Sequence, residues 1–194
     1  MANTDRPNGL KPVRVKYGTA PEITTDTAKT GQTFYEGMII CRNTTGLLIP
    51  PTTTHIAAGN IIGVSAQYKA TTSSDSSLTY YSDPAQEYVV QSDDNSLTVA
   101  GDYKDVLFMV VNLKTGNTTT LQSKCELDGS SGSSTAGVQA ATDISPLHCL
   151  GIYGGIGNTA AVSYTRYIVK IAPCYHLRGM AKVGLDEGTY TGIS

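Results

Sequence analysis

The chain has no tryptophan and only two phenylalanines among its 194 residues. Modules that grip sugars on stacked rings draw on tryptophan first, so this shortage weighs against that class. Charge is scarce too, with 14 Lys and Arg against 16 Asp and Glu for a net of −2. A nucleic-acid binder displays a basic face. No Lys/Arg cluster exists here, so no nucleic-acid partner is expected. The longest apolar run, Val106–Val111, is far short of the ~20 residues a spanning helix needs, and no membrane partner is expected either. The four cysteines, Cys41, Cys125, Cys149 and Cys174, form no Cys-x-x-Cys pair. The opening residues lack the apolar stretch of a secretory signal. Synthesis in the cytoplasm, where thiols stay reduced, is the expectation, with the cysteines acting as small buried hydrophobes.

Helical periodicity is nearly absent as well. Apolar residues come in short bursts bounded by Gly, Pro, Asn, Asp, Ser and Thr, the pattern of strands and turns. It predicts strands at Val13–Tyr17, Met38–Arg42, Leu47–Ile49, Asn60–Lys69 and Leu78–Tyr81. Further strands are predicted at Gln86–Gln91, Val106–Asn112, Pro146–Tyr153 and Ala161–Ala172. Thr44-Thr45-Gly46 reads as a hairpin loop, ended by Pro50-Pro51, which cannot donate to a ladder. Val106–Val111 is apolar on both faces and reads as a central strand. Twelve tyrosines suit strands, and equally suit surfaces where a ring is half-buried and its hydroxyl wet. The Ser/Thr-rich stretch Ala70–Ser77 and the Gly/Ser-rich stretch Gly129–Gly137 read as loops. The expected fold is all-β, a single β-barrel or β-sandwich domain over residues 18–176. An extended arm (1–17) precedes it and a glycine-rich extension (177–194) follows.

Little in the chain points to chemistry. His148-Cys149 and Cys174-Tyr175-His176 are the best metal candidates, because Cys174 and His176 share a strand face and thiolate with imidazole suits zinc. His148 and Cys149 point to opposite faces, however, and ordinary core cysteines are the favoured reading; no metal and no cofactor is expected. Gly155-Ile156-Gly157-Asn158-Thr159-Ala160 fits a dinucleotide fingerprint only superficially, since a strand rather than a helix pattern follows. Asp93-Asp94 reads as a solvated turn. Glu126 and Asp128 lack the further oxygen ligands of a calcium loop. His55, His148 and His176 have no nucleophile motif beside them. No enzyme is expected.

The first fourteen residues are the most informative. Pro7, Pro12 and the turn pair Asn8-Gly9 forbid a helix, leaving an extended polar arm with Arg6, Lys11 and Arg14 spaced along it. Such an arm has too little apolar content to bury in its own domain and is expected to fray or to lie across a partner.

The opening, Asn3-Thr4-Asp5-x-Pro7-Asn8-Gly9-x-x-Pro12-Val13-Arg14, resembles that of small tailed-bacteriophage capsid cement, or head-decoration, proteins. The resemblance continues in Ile62-Gly63-Val64, Tyr88–Asp94, Cys125-Glu126-Leu127-Asp128, Leu147–Ile152 and Tyr167–Ile171. It covers most of residues 1–175. It implies a virion structural protein, made in the host cytoplasm and seated on the capsid exterior. Its partners would be the major capsid protein and copies of itself, a trimer before a dimer. The arm would then supply the capsid contacts through Asn3, Arg6, Pro7, Asn8, Leu10, Pro12 and Arg14, with Lys11 adding charge. The alternative is a receptor- or carbohydrate-binding module on the virion surface, using tyrosines as stacking platforms.

Overall fold

A computed structural model describes residues 9–14, 20–71, 76–91, 107–108, 110–111, 126–127, 146–155, 164–172 and 176–177. Among these the chain is all-β apart from one short helix. Strands β1 (Lys11–Arg14), β2 (Ile23–Ala28), β3 (Thr33–Phe34), β4 (Ile39–Arg42) and β5 (Leu48–Ile49) come first. Helix α1 (Thr53–Ala57) follows, then β6 (Ile61–Ser65), β7 (Lys69–Ala70), β8 (Ser76–Tyr81) and β9 (Glu87–Gln91). The remaining strands are β10 (Leu107–Phe108), β11 (Val110–Val111), β12 (Glu126–Leu127), β13 (Leu147–Ile152) and β14 (Arg166–Ile171).

Strands β2, β5, β4, β6 and β8 close into a barrel, and β1, β9, β14, β13 and β10 form a five-stranded sheet beside it. Two small ladders, β3 with β7 and β11 with β12, and a parallel bridge between Ile61 and His176 complete the pairing among the described residues. The barrel interior holds Ala28, Phe34, Ile40, Leu48, Ile62, Leu78 and Tyr80. A second cluster joins the barrel wall (Ile39, Cys41, Ile49, Ile61, Val64) to one face of the sheet (Tyr88, Val90, Leu147, Cys149, Tyr167, Val169, Ile171). Strand alternation accounts for this division, since Ile39 and Cys41 face the sheet while Ile40 faces the barrel axis. On β6 the alternation breaks. Ile40 pairs with Gly63 but Cys41 with Ile61, so Ile62 is the extra residue of a bulge. The bulge lets Ile61 and Val64 both face the sheet while Ile62 fills the barrel.

Polar groups pin the barrel mouth. The Asp26 carboxylate accepts a 2.9 Å hydrogen bond from the Tyr80 hydroxyl and forms an ion pair with Arg42. Arg42 Nη1 also donates to the Gly46 carbonyl at 2.7 Å, and Asn43 Oδ1 accepts from the Thr45 and Leu47 amides. The predicted hairpin at residues 44–46 is therefore closed by the side chains on its rim.

Several expectations need correction. β2 falls where no strand was predicted, because only Ala28 on it is buried and the rest reads as polar loop. The predicted strand Asn60–Lys69 stops at Ser65 and bends before β7, and β8 starts at Ser76, inside a predicted loop. The run Val106–Asn112 is not one central strand. Leu107–Phe108 pairs with β13 at the sheet edge, and Val110–Val111 pairs with β12 in a separate ladder. An apolar run reads the same whether it stays in one sheet or passes between two. The predicted strand Ala161–Ala172 has its described pairing at Arg166–Ile171, preceded by Tyr164 at φ +62, a backbone value foreign to strands.

Residues 9–14 also depart from the expected unburied arm. They are extended, but β1 pairs with β9 of its own domain: Lys11 with Val89, Pro12 with Tyr88 and Arg14 with Glu87, across a bulge at Val13. The reason is Leu10. Its side chain is fully buried in the barrel–sheet core, and burying a leucine contributes about 1.5–3 kcal/mol. Its N–H donates to the Gly37 carbonyl at 3.0 Å. Gly9, at φ +68, approaches Gly37 so closely that a Cβ would lie 2.8 Å from that oxygen. One apolar residue, given a glycine turn before it, is enough to hold the segment down.

Candidate binding surface on the outer sheet

Of the arm residues expected to contact a partner, Asn3, Arg6, Pro7 and Asn8 lie outside the described residues. Leu10 is corrected from a surface contact to a core residue, as its burial requires. The Arg14 backbone pairs opposite Glu87. Pro12 is half-buried and forms part of a groove of about 400 Å³. It is lined by Gly9, Lys11, Pro12 and Val13 of the opening segment, by Val89, Val90 and Gln91 of β9, and by Tyr153 and Arg166. Val13, 38% exposed, is among the few large apolar side chains of the described residues left open to solvent.

Strand alternation fixes what lies on the outer face of the sheet. On β14, Tyr167, Val169 and Ile171 are buried against the barrel while Arg166, Ile168 and Lys170 are half-buried on the opposite side. Directly opposed residues of an antiparallel pair share a face. Val89 lies between Lys11 on β1 and Ile168 on β14, and Gln91 lies opposite Arg166. Lys170 is opposite half-buried His148. The outer face thus carries an apolar strip, Val89 and Ile168, edged by Lys11, Arg166 and Lys170, with Glu87 as the acidic residue of β9. Lys11 forms an ion pair with Glu36, and both side chains are substantially exposed.

Strand alternation alone sets Arg166, Ile168 and Lys170 on one face, but no local signal gives them a role. Their nearness to the opening segment depends on β9 lying between β1 and β14, a non-local arrangement. A second surface feature is a tyrosine pair. Tyr35 and Tyr68 stack at 5.4 Å between ring centroids, tilted by 56°, with Tyr68 63% exposed. Slight burial and the neighbouring Tyr68 raise the Tyr35 hydroxyl above its ordinary pKa.

The metal candidates separate. Cys149 is buried in the core and His148 sits half-buried on the outer face. His176 is buried beside Ile61, to which it bridges in parallel, and Cys174 lies outside the described residues. Among the described residues, no three His, Cys, Asp or Glu side chains gather to hold an ion. Cys41 and Cys149 are buried thiols. No helix among the described residues is long and apolar enough to cross a membrane.

No protein-family model, curated protein or solved structure matches this chain.

Proposed function

We propose that the chain is a structural protein of a tailed-bacteriophage head, a capsid cement protein that binds the outer surface of the shell. The reading starts from the opening segment that resembles such proteins. The observation that carries it is the position of that segment's second half: β1 is an edge strand of the five-stranded sheet. Among the described residues nothing pairs with its other edge. An edge strand offers its unpaired backbone groups to a neighbouring chain, the basis of β-augmentation, and on β1 these are chiefly carbonyls because Pro12 has no N–H. A protein of this kind does thermodynamic work. Binding across subunit junctions in one state of the lattice stabilises that state by mass action, and many weak copies add through avidity. Association with copies of itself, a trimer first, belongs to the same reading.

The Tyr35–Tyr68 pair favours a second reading, a receptor- or carbohydrate-binding module on the virion surface, because an exposed ring beside another is a stacking platform. Protein copy number in purified virions decides between them. A cement protein is present in tens to hundreds of copies per particle, and removing it lowers the temperature at which heads burst. A handful of copies selects the second reading, and absence from the particle ends both.

A further inference from the structure

We propose that Tyr35 and Tyr68 form a site of oxidative modification, at which a one-electron oxidant joins the two rings of one chain as a dityrosine. The inference stands apart from both functional readings, since it concerns only the chemistry open to these two side chains. Their ring centroids are 5.4 Å apart and the rings are tilted by 56°, a separation inside the contact range of aromatic pairs. The backbone brings them there. Antiparallel β3 and β7 pair Thr33 with Ala70 and Phe34 with Lys69, and Tyr35 and Tyr68 are the next residues along each strand. Alternation turns Tyr35 away from buried Phe34. Tyr35 is half-buried and packs on the barrel–sheet core, while Tyr68 is 63% exposed. One ring is thus anchored, and the other is free to turn edge-on within picoseconds to nanoseconds. After slight burial, the nearby Tyr68 hydroxyl is the second cause of the raised Tyr35 pKa, so the hydroxyl ends of the rings lie near each other. The carbons that couple are those beside the hydroxyls.

The step balances with hydrogen peroxide as terminal oxidant, activated by a haem peroxidase. Each phenol gives up one electron and passes one proton to water. The phenoxyl radicals carry spin on the carbons ortho to oxygen. One carbon–carbon bond forms between two of these, and the two ring hydrogens then move to the oxygens to restore both phenols. Peroxide takes up the two electrons and two protons and leaves as two waters. The other tyrosine pair lacks these conditions. Tyr81 and Tyr88 have centroids 6.5 Å apart, but Tyr88 is 1% exposed and its hydroxyl meets no acceptor among the described residues. Its proton has no route out, and loss of the electron alone would leave an uncompensated buried charge.

Trypsin separates the two residues cleanly. Cleavage after Lys29, Arg42 and Lys69 gives one peptide whose sole tyrosine is Tyr35 and one whose sole tyrosine is Tyr68. The full chain, dilute and treated with a haem peroxidase and limiting hydrogen peroxide, is expected to yield these peptides joined in its monomer fraction. Their combined mass falls by two hydrogen atoms. Tyr68→Phe, at an exposed position, is expected to abolish the product, and Tyr88→Phe to leave it unchanged. A yield per chain that does not vary with protein concentration marks the link as intrachain. The linked chain is expected to raise its urea midpoint by on the order of 1 M, because the tie restricts the unfolded chain as a disulfide does. Links among other tyrosines without this one, or a joined product found only in dimers, would overturn the inference. So would a midpoint that stays level or falls on linking, since the rings would then have left their folded places to join.

Discussion

Gly63 lies so close to the backbone of Tyr81 that a Cβ on it would come within 2.0 Å of the Tyr81 carbonyl oxygen. The contact joins β6 to β8 at the point where β6 carries its bulge. Two constraints coincide there, since Gly63 also has φ +157, which side chains rarely adopt.

Gly63→Ala is accordingly expected to destabilise the protein by more than about 2 kcal/mol, the range reserved for core clashes and backbone strain. Gly46→Ala is the control. Gly46 also has positive φ, but a Cβ added there would meet nothing within 4 Å, so its cost is confined to backbone strain of about 1–2 kcal/mol. Urea midpoints of the two variants measure the difference, and equal losses would remove the argument from close approach.

Leu10 supplies the next test. Its truncation to alanine empties a buried site at the seam between barrel and sheet. A loss of about 2–5 kcal/mol is expected, together with new tryptic cleavage after Arg14 as β1 leaves β9. Lys11→Ala, which removes only the exposed pair with Glu36, is expected to change stability by less than about 1 kcal/mol. If both variants melt alike, the arm is not held by its leucine.

These two positions mark how far the sequence could be read. The all-β class was legible because apolar bursts of strand length alternate with turn residues, and Met38–Arg42 or Gln86–Gln91 announce themselves on that basis. β2 did not, because Ile23–Thr27 is half-exposed or exposed and its strand character comes from six paired positions with β8. Such pairing is non-local and leaves no local apolar signal. The arm failed for the opposite reason. Residues 1–14 are polar on average, and an average conceals that one leucine behind a positive-φ glycine finds a fully buried socket. The groove was partly legible, since alternation set Arg166 apart on β14, but the order of β1, β9 and β14 that brings it to the arm was not.

Tyr88 carries an energetic oddity. Its ring is buried, edge-on to Tyr81 at 6.5 Å, and its hydroxyl has no hydrogen-bond partner among the described residues. A buried polar group without a partner costs about 1–3 kcal/mol. Tyr88→Phe keeps the ring and removes the orphaned oxygen, so the variant is expected to be as stable as wild type or up to about 1 kcal/mol more stable. Calorimetry compares the two, and a marked loss would mean that the hydroxyl is satisfied.

Burial also makes the fold sensitive to alkali. The Cys41 thiol is pushed from its ordinary 9.0 up to about 12, mainly by desolvation and against a smaller lowering from the Thr52 backbone. Desolvation raises Tyr88 from 10.0 in the same direction, aided by Asp83 and Tyr81. Each group holds its proton in the folded chain at a pH where the unfolded chain has released it. Below pH 9 both states are protonated and stability does not depend on either group. Above pH 9 the unfolded state gains by ionising Cys41, so stability falls by about 1.4 kcal/mol per pH unit until the folded thiol titrates near 12. Tyr88 adds to the slope above pH 10. Urea midpoints are therefore expected to hold steady from pH 7 to about 8.5 and to fall steeply beyond 9. Cys41→Ala lowers the plateau through its cavity but flattens the slope between pH 9 and 10, while Tyr88→Phe flattens the slope above 10. A wild-type midpoint that stays level through pH 10 would show that Cys41 is not shielded from solvent as its place between barrel and sheet requires.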